Sequence, residues 1–172
     1  MRIIPPFDLQ RWIEQNRRQL VPPVGNKLLF QDSEFIIMAV GGPNSRKDFH
    51  HDPGEEFFYQ LEGDLLLKTV QDGRLIDIPI RAGEVFLLPR EVPHSPRRPV
   101  GSVGIVIERT RGPDELDGFS WYCENCGNCL HLERVAVRDI ETRLPQVFSR
   151  FYSSTARRTC LQCGNVMQAP QP

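Results

Sequence analysis

The chain has 172 residues, 40% hydrophobic and 25% charged, enough for one core-bearing domain and a small appendage. A formal net charge of -1 supplies no global field to attract nucleic acid or an anionic membrane, and the excess of arginine over Lys27, Lys47 and Lys68 singles out no partner. No apolar run approaches the roughly 20 residues of a membrane span, and the start from Met1 to Asp8 has no signal-peptide core, so the expectation is a cytoplasmic protein.

Asp8 ahead of Leu9, Trp12, Ile13 and Asn16 predicts an N-capped amphipathic helix, which Pro22-Pro23 ends before Val24-Gly25-Asn26. Short β-type segments follow over Lys27–Gln31, Glu34–Val40, Glu56–Leu61, Leu65–Val70, Arg74–Ile80, Glu84–Leu88 and Val103–Arg109. Gln71-Asp72-Gly73-Arg74 is a hairpin signal, because Asp-Gly supplies the positive φ angles of a type I′ turn. Many short strands, few helices and frequent Gly/Pro punctuation predict an all-β fold, a closed antiparallel barrel or jelly roll. After about Gly112 the strand rhythm is expected to fade, and Leu144, Val147, Phe148 and Phe151 have helical spacing. A boundary therefore falls within 112–118, dividing a barrel over 1–115 from a cysteine-bearing segment over 116–172, whose last residues, Gln168–Pro172, are expected to fray.

Within the barrel, two glycine-punctuated segments carry metal-ligand chemistry: His50-x5-Glu56-x6-Gly63 and Gly83-x5-Pro89-x4-His94. Two imidazoles and one carboxylate can occupy one face of an octahedral ion and leave three positions open, the donor set of non-haem Fe(II) oxygenases. Gly63 and Gly83 fit strand-end turns and Pro89 a strand exit, which sets the two segments facing each other. His51 competes with His50, and Glu55 with Glu56, since adjacent strand residues point to opposite faces. Glu56 keeps the spacing to Gly63 and shares parity with Phe58 and Gln60; His50 is preferred on less ground.

The same parity places Arg46 and Asp48 on the face of His50, and Pro96 and Arg98 on the face of His94. Each arginine lies four residues, on the order of 13 Å of backbone, from a metal ligand. Two guanidinium groups inside an apolar barrel are costly unless an anion neutralises them, and a substrate carboxylate matches their planar fork. The competing reading puts them at the barrel mouth in solvent. Glu108, which ends the apolar run Val103-Gly-Ile-Val-Ile107, is either an inward polar group or a strand-end surface charge.

Five cysteines in a reducing compartment favour metal binding over disulfides. Cys123-Glu-Asn-Cys126-Gly127 and Cys160-Leu-Gln-Cys163-Gly164 are two C-x2-C-G knuckles, able to close a tetrahedral S4 site around zinc or one iron. Such a site is closed and its role structural; two redox dithiols are the alternative. Cys129 has no partner and reads as a free thiol.

The paired segments resemble the two motifs of the cupin superfamily, with a single His50 where His-x-His is usual and Arg98 where an asparagine is usual. The stretches Arg46–Gly63, Gly83–Arg98, Val106–Arg109 and Leu116–Gly118 resemble, more specifically, the 3-hydroxyanthranilate 3,4-dioxygenase family, and the similarity runs over most of residues 5–160. That resemblance implies a cupin jelly roll with an N-terminal helix and a C-terminal metal-knuckle segment containing a helix. It implies catalytic Fe(II) held by His50, Glu56 and His94, in agreement with the choices above. Arg46 and Arg98 would bind the substrate carboxylate, and Glu108 would hydrogen-bond the chelating hydroxyl and amino groups. It further implies a rubredoxin-like second site on Cys123, Cys126, Cys160 and Cys163, a homodimer, and ring opening of 3-hydroxyanthranilate by O2 toward quinolinate, in tryptophan catabolism, nicotinamide cofactor synthesis or nitroaromatic degradation. The alternatives are another cupin Fe(II) dioxygenase acting on an aromatic carboxylate, or a non-catalytic metal-dependent ligand-binding cupin.

Overall fold

The computed structural model describes residues 3–22, 25–31, 33–44, 46–136 and 140–169. Pro23 and Val24 of the helix stop and the last three residues of the tail lie outside the described residues, as do Met1 and Arg2.

Helix α1 spans Leu9–Asn16 and starts where expected, with the Asp8 side chain accepting a hydrogen bond from the Arg11 N–H at 2.9 Å. Its Ile13 is fully buried and packs with Leu20 against Ala39, Val103 and Ile105 on the outer face of a sheet. Burying a side chain of this size contributes about 1.5–3 kcal/mol, enough to dock a short helix that would not persist alone.

Eleven described strands follow: β1 Asn26–Leu28, β2 Phe35–Gly41, β3 Phe49–His51, β4 Glu56–Glu62, β5 Leu65–Gln71, β6 Arg74–Ile80, β7 Val85–Leu88, β8 His94–Arg97, β9 Val103–Arg109, β10 Asp117–Tyr122 and β11 Cys129–Val135. They form two antiparallel sheets, ordered β1-β2-β9-β4-β7 and β11-β10-β3-β8-β5-β6. Between the sheets lies a core of Phe58, Leu65, Leu67, Ile80, Leu88 and Val106. The uninterrupted apolar run of β9 now has its cause: Val106 faces this core while Ile105 faces α1, so both faces of the strand are covered. In the β5–β6 hairpin, Asp72 and Gly73 both take positive φ (49° and 73°), as a type I′ turn requires.

Two strands lie where the rhythm was expected to fade. Strand β10 pairs with both β3 and β11, so the six-stranded sheet continues across the boundary near residue 115. Its sequence, Asp-Gly-Phe-Ser-Trp-Tyr, hides the strand because Gly118 and Ser120 meet His51 of β3. A Cβ on Gly118 would lie 3.0 Å from that of His51, and Ser120 Oγ is 2.7 Å from His51 Nε2. On the opposite face Phe119 and Trp121 join Val147, Phe151 and Met167 in a separate core. This core seats the expected helix, α2 (Ile140–Tyr152), with Trp121 stacked on Phe151 at 4.1 Å between ring centres. A single-turn helix, α3 (Thr155–Arg158), leads to the second cysteine pair.

Candidate active site

Strand register builds the site. His50 of β3 lies directly opposite His94 of β8, and Glu56 of β4 opposite Glu108 of β9. Parity along β4 turns Glu56, Phe58 and Gln60 inward, while Glu55, just before the strand, is exposed. Hence one imidazole pair on one sheet faces a carboxylate on the other. All three donors open on a cavity of about 440 Å³ whose apolar wall includes Met38, Val40, Phe58 and Val106.

Glu56 Oε1 lies 2.9 Å from His94 Nε2 and 3.3 Å from His50 Nδ1, yet this buried oxygen makes no well-aligned hydrogen bond. The outer ring nitrogens explain the convergence. His94 Nδ1 is 3.0 Å from the Val92 carbonyl oxygen, and His50 Nε2 is 2.7 Å from Asp117 Oδ1. Each outer nitrogen therefore carries the proton, leaving the inner lone pairs aimed at one point beside Glu56. Burial opposes the His50 imidazolium, but Asp117 and Glu56 outweigh it and push that pKa up to about 10. The histidines and Glu56, held down by the two rings against the effect of burial, fit a divalent metal.

Around the donors runs a buried ionic network that the sequence reading did not find. Arg111 ion-pairs with Asp52 at 2.6 Å, Glu108 at 2.7 Å and Asp117 at 2.7 Å. Burial and the neighbouring Glu56 push the Glu108 carboxyl up to about 7, with Arg111 opposing. Phe119 stacks on the His50 ring at 5.2 Å, so the C-terminal segment touches the metal-binding face. The rejected alternative, His51, is buried on the other side, where burial lowers its pKa to about 4.

The two arginines occupy different environments. Arg46 is half exposed, paired with buried Asp48, and its guanidinium lies 5.4 Å from the Phe148 ring centre. Arg98 is 3% exposed and bonds to Gln60 at 2.9 Å, while its Nε is buried without a partner. Both line the cavity with Glu108.

Cys123, Cys126, Cys160 and Cys163 bring their sulfurs within 4.8 Å of one another, with 3.6 Å from Cys123 to Cys163 and 3.5 Å from Cys126 to Cys160. Tetrahedral zinc with bonds of about 2.3 Å needs sulfur edges of about 3.8 Å, so the cluster fits such an ion. The two knuckles are copies. In each, the first cysteine N–H donates to an asparagine carbonyl at 2.8 Å, and a positive-φ glycine donates back to that cysteine at 2.9 Å. The Asn128 backbone favours a Cys126 thiolate, but burial and the three neighbouring sulfurs outweigh it and push that thiol up to about 12. Cys129 stands apart and exposed.

A solved cupin-2 domain protein from Shewanella frigidimarina is similar over 49% of this chain and 79% of its own, at 21% identity and a TM-score of 0.43. A protein of Xanthomonas campestris pv. campestris named 3-hydroxyanthranilate 3,4-dioxygenase is 56% identical over 98% of this chain and 96% of its own length. One of the same name from a Jannaschia species is 48% identical over 96% and 93%. The family model for 3-hydroxyanthranilic acid dioxygenase matches residues 1–152, spanning every strand and the whole His–Glu–His centre, and the chain belongs to that family.

Proposed function

We propose that the chain is a 3-hydroxyanthranilate 3,4-dioxygenase, using Fe(II) on His50, Glu56 and His94 to open the ring with both atoms of O2. The product is 2-amino-3-carboxymuconate semialdehyde, which closes to quinolinate. The observation that carries the reading is a donor triad with its ring nitrogens and carboxylate converging in an apolar cavity, beside a buried guanidinium that no carboxylate among the described residues neutralises. Bound iron supplies open coordination positions and the Lewis acidity that lowers the pKa of a phenol.

The protein's own groups divide the remaining work. Arg98, with Arg46 at the exposed rim, binds the substrate carboxylate and orients the ring so that the carbon 3–carbon 4 bond meets the oxidant. Glu108, with a carboxyl near neutrality, accepts the phenolic proton and returns it, and Arg111 holds it in place. Met38, Val40, Phe58 and Val106 exclude water from the reacting ring. The four cysteines hold iron or zinc in a structural role, and the division at 115/116 separates the two metal centres rather than two sheets. No described helix is long and apolar enough to cross a membrane. A cytoplasmic homodimer completes the proposal, and sedimentation of the purified protein checks its dimeric part.

The test is to load the protein with ferrous iron under nitrogen, add 3-hydroxyanthranilate and admit air. One O2 consumed per substrate, with the absorbance of a conjugated open-chain product, is expected. Iron-replete protein that consumes no O2 would refute the activity.

A further inference from the structure

We infer that Gln60 is a positioning residue that sets the preference for a carboxylate-bearing substrate, by holding Arg98 in place without cancelling its charge. The inference rests on the dioxygenase reading above and adds to it a residue and a reason for its side-chain type.

Gln60 is 1% exposed and faces inward from β4, two alternate positions beyond the metal donor Glu56. Every polar atom of its amide is engaged. Its Nε2 donates to the Glu62 carbonyl at 2.9 Å, the Gly63 carbonyl at 3.1 Å and Ser102 Oγ at 2.9 Å. These three acceptors fix the amide orientation, which leaves Oε1 to accept from Arg98 Nη1 at 2.9 Å. Directly across the ladder from Gln60 stands Gly104. A Cβ there would lie 2.7 Å from Gln60 Oε1 and 3.0 Å from Arg98 Nη1, so the contact exists only because that position lacks a side chain.

The choice of an amide matters because of where Arg98 sits. A buried guanidinium is normally paired with a carboxylate, and in the same cavity even the half-exposed Arg46 has one, Asp48. Arg98 does not: its partner is neutral, its Nε is unpartnered, and burial alone, with no acid opposing, draws its pKa down to about 10. The barrel therefore keeps one positive charge desolvated, oriented and uncompensated, at a standing cost to stability that an incoming anion removes. A glutamate at position 60 would supply the missing charge from the protein and take away the reason for the ligand's carboxylate to bind.

Anaerobic binding reads this apart from turnover. Iron-loaded protein under nitrogen is titrated with 3-hydroxyanthranilate and with 2-aminophenol, which keeps the chelating pair but lacks the carboxylate. The wild-type protein should prefer 3-hydroxyanthranilate. Gln60→Glu should reduce that preference about tenfold or more, and Gln60→Met, which removes the acceptor without adding charge, about threefold. Affinity for 2-aminophenol should stay within twofold in both. Equal losses for the two ligands would show a merely structural role. An unchanged preference in the folded variants, or none in the wild type, would overturn the inference. If Gln60→Glu does not fold, Gln60→Met decides alone. Admitting air to the wild-type complex then separates the two claims, because a retained preference without O2 uptake refutes the dioxygenase reading and leaves the role of Gln60 standing.

Discussion

The four cysteine sulfurs of the C-terminal segment come from two knuckles that repeat each other's backbone hydrogen bonds, whereas His50, Glu56 and His94 come from three strands in two sheets. A knuckle carries its own turn, glycine and backbone donors within a few residues, so its geometry is settled locally. The His–Glu–His centre exists only after the sheets close, and residues outside the triad flank it: Asp117 behind His50, Arg111 behind Asp117 and Glu108, Gln60 behind Arg98. The first set gathers four like donors around one point; the second keeps three donors on one side of a cavity. A structural site can be self-contained. A catalytic one must leave positions free and so draws its rigidity from further out.

Breaking the centre outright is the largest test. Glu56→Ala removes the one carboxylate donor, and turnover should fall to background with loss of catalytic iron; an active, iron-replete variant would remove Glu56 from the ligand set. Arg98→Ala should raise KM for 3-hydroxyanthranilate on the order of a hundredfold while leaving kcat much less affected, and an unchanged KM would count against the carboxylate clamp. Asp117→Asn tests whether support from the C-terminal segment reaches the iron: it keeps the shape but weakens the partner of His50, and iron affinity measured by competition with a chelator should drop roughly tenfold or more. The smallest effect on catalysis should come from Cys160→Ser combined with Cys163→Ser. Thermal stability should fall clearly because metal binding no longer contributes to folding, while activity per catalytic iron stays within about twofold. A joint collapse of both would mean that β10, which runs from Asp117 toward Cys123, couples the two centres rather than merely connecting them.

Much of this arrangement was legible in the chain. The donor spacing, the inward parity of Glu56 with Phe58 and Gln60, the I′ hairpin at Asp72-Gly73 and the paired knuckles are all short-range signals, and each stands where the sequence places it. Strands β10 and β11 were not legible, because the alternation of β10 is broken by Gly118 and Ser120, chosen to fit His51 on a strand far away in sequence. Arg111 went unnoticed for a related reason: a lone arginine in a loop has no local mark of being buried among three carboxylates.

Sequence alone thus named side chains that could hold metal and gave Glu56 its inward parity, since period and turn chemistry operate over a few residues. Tertiary structure decided the rest: that Arg46 is compensated and Arg98 is not, that His50 leans on Asp117, and that the C-terminal segment shares the barrel's sheet. Charge compensation and burial depend on what arrives from across the fold, and no spacing within one strand encodes them.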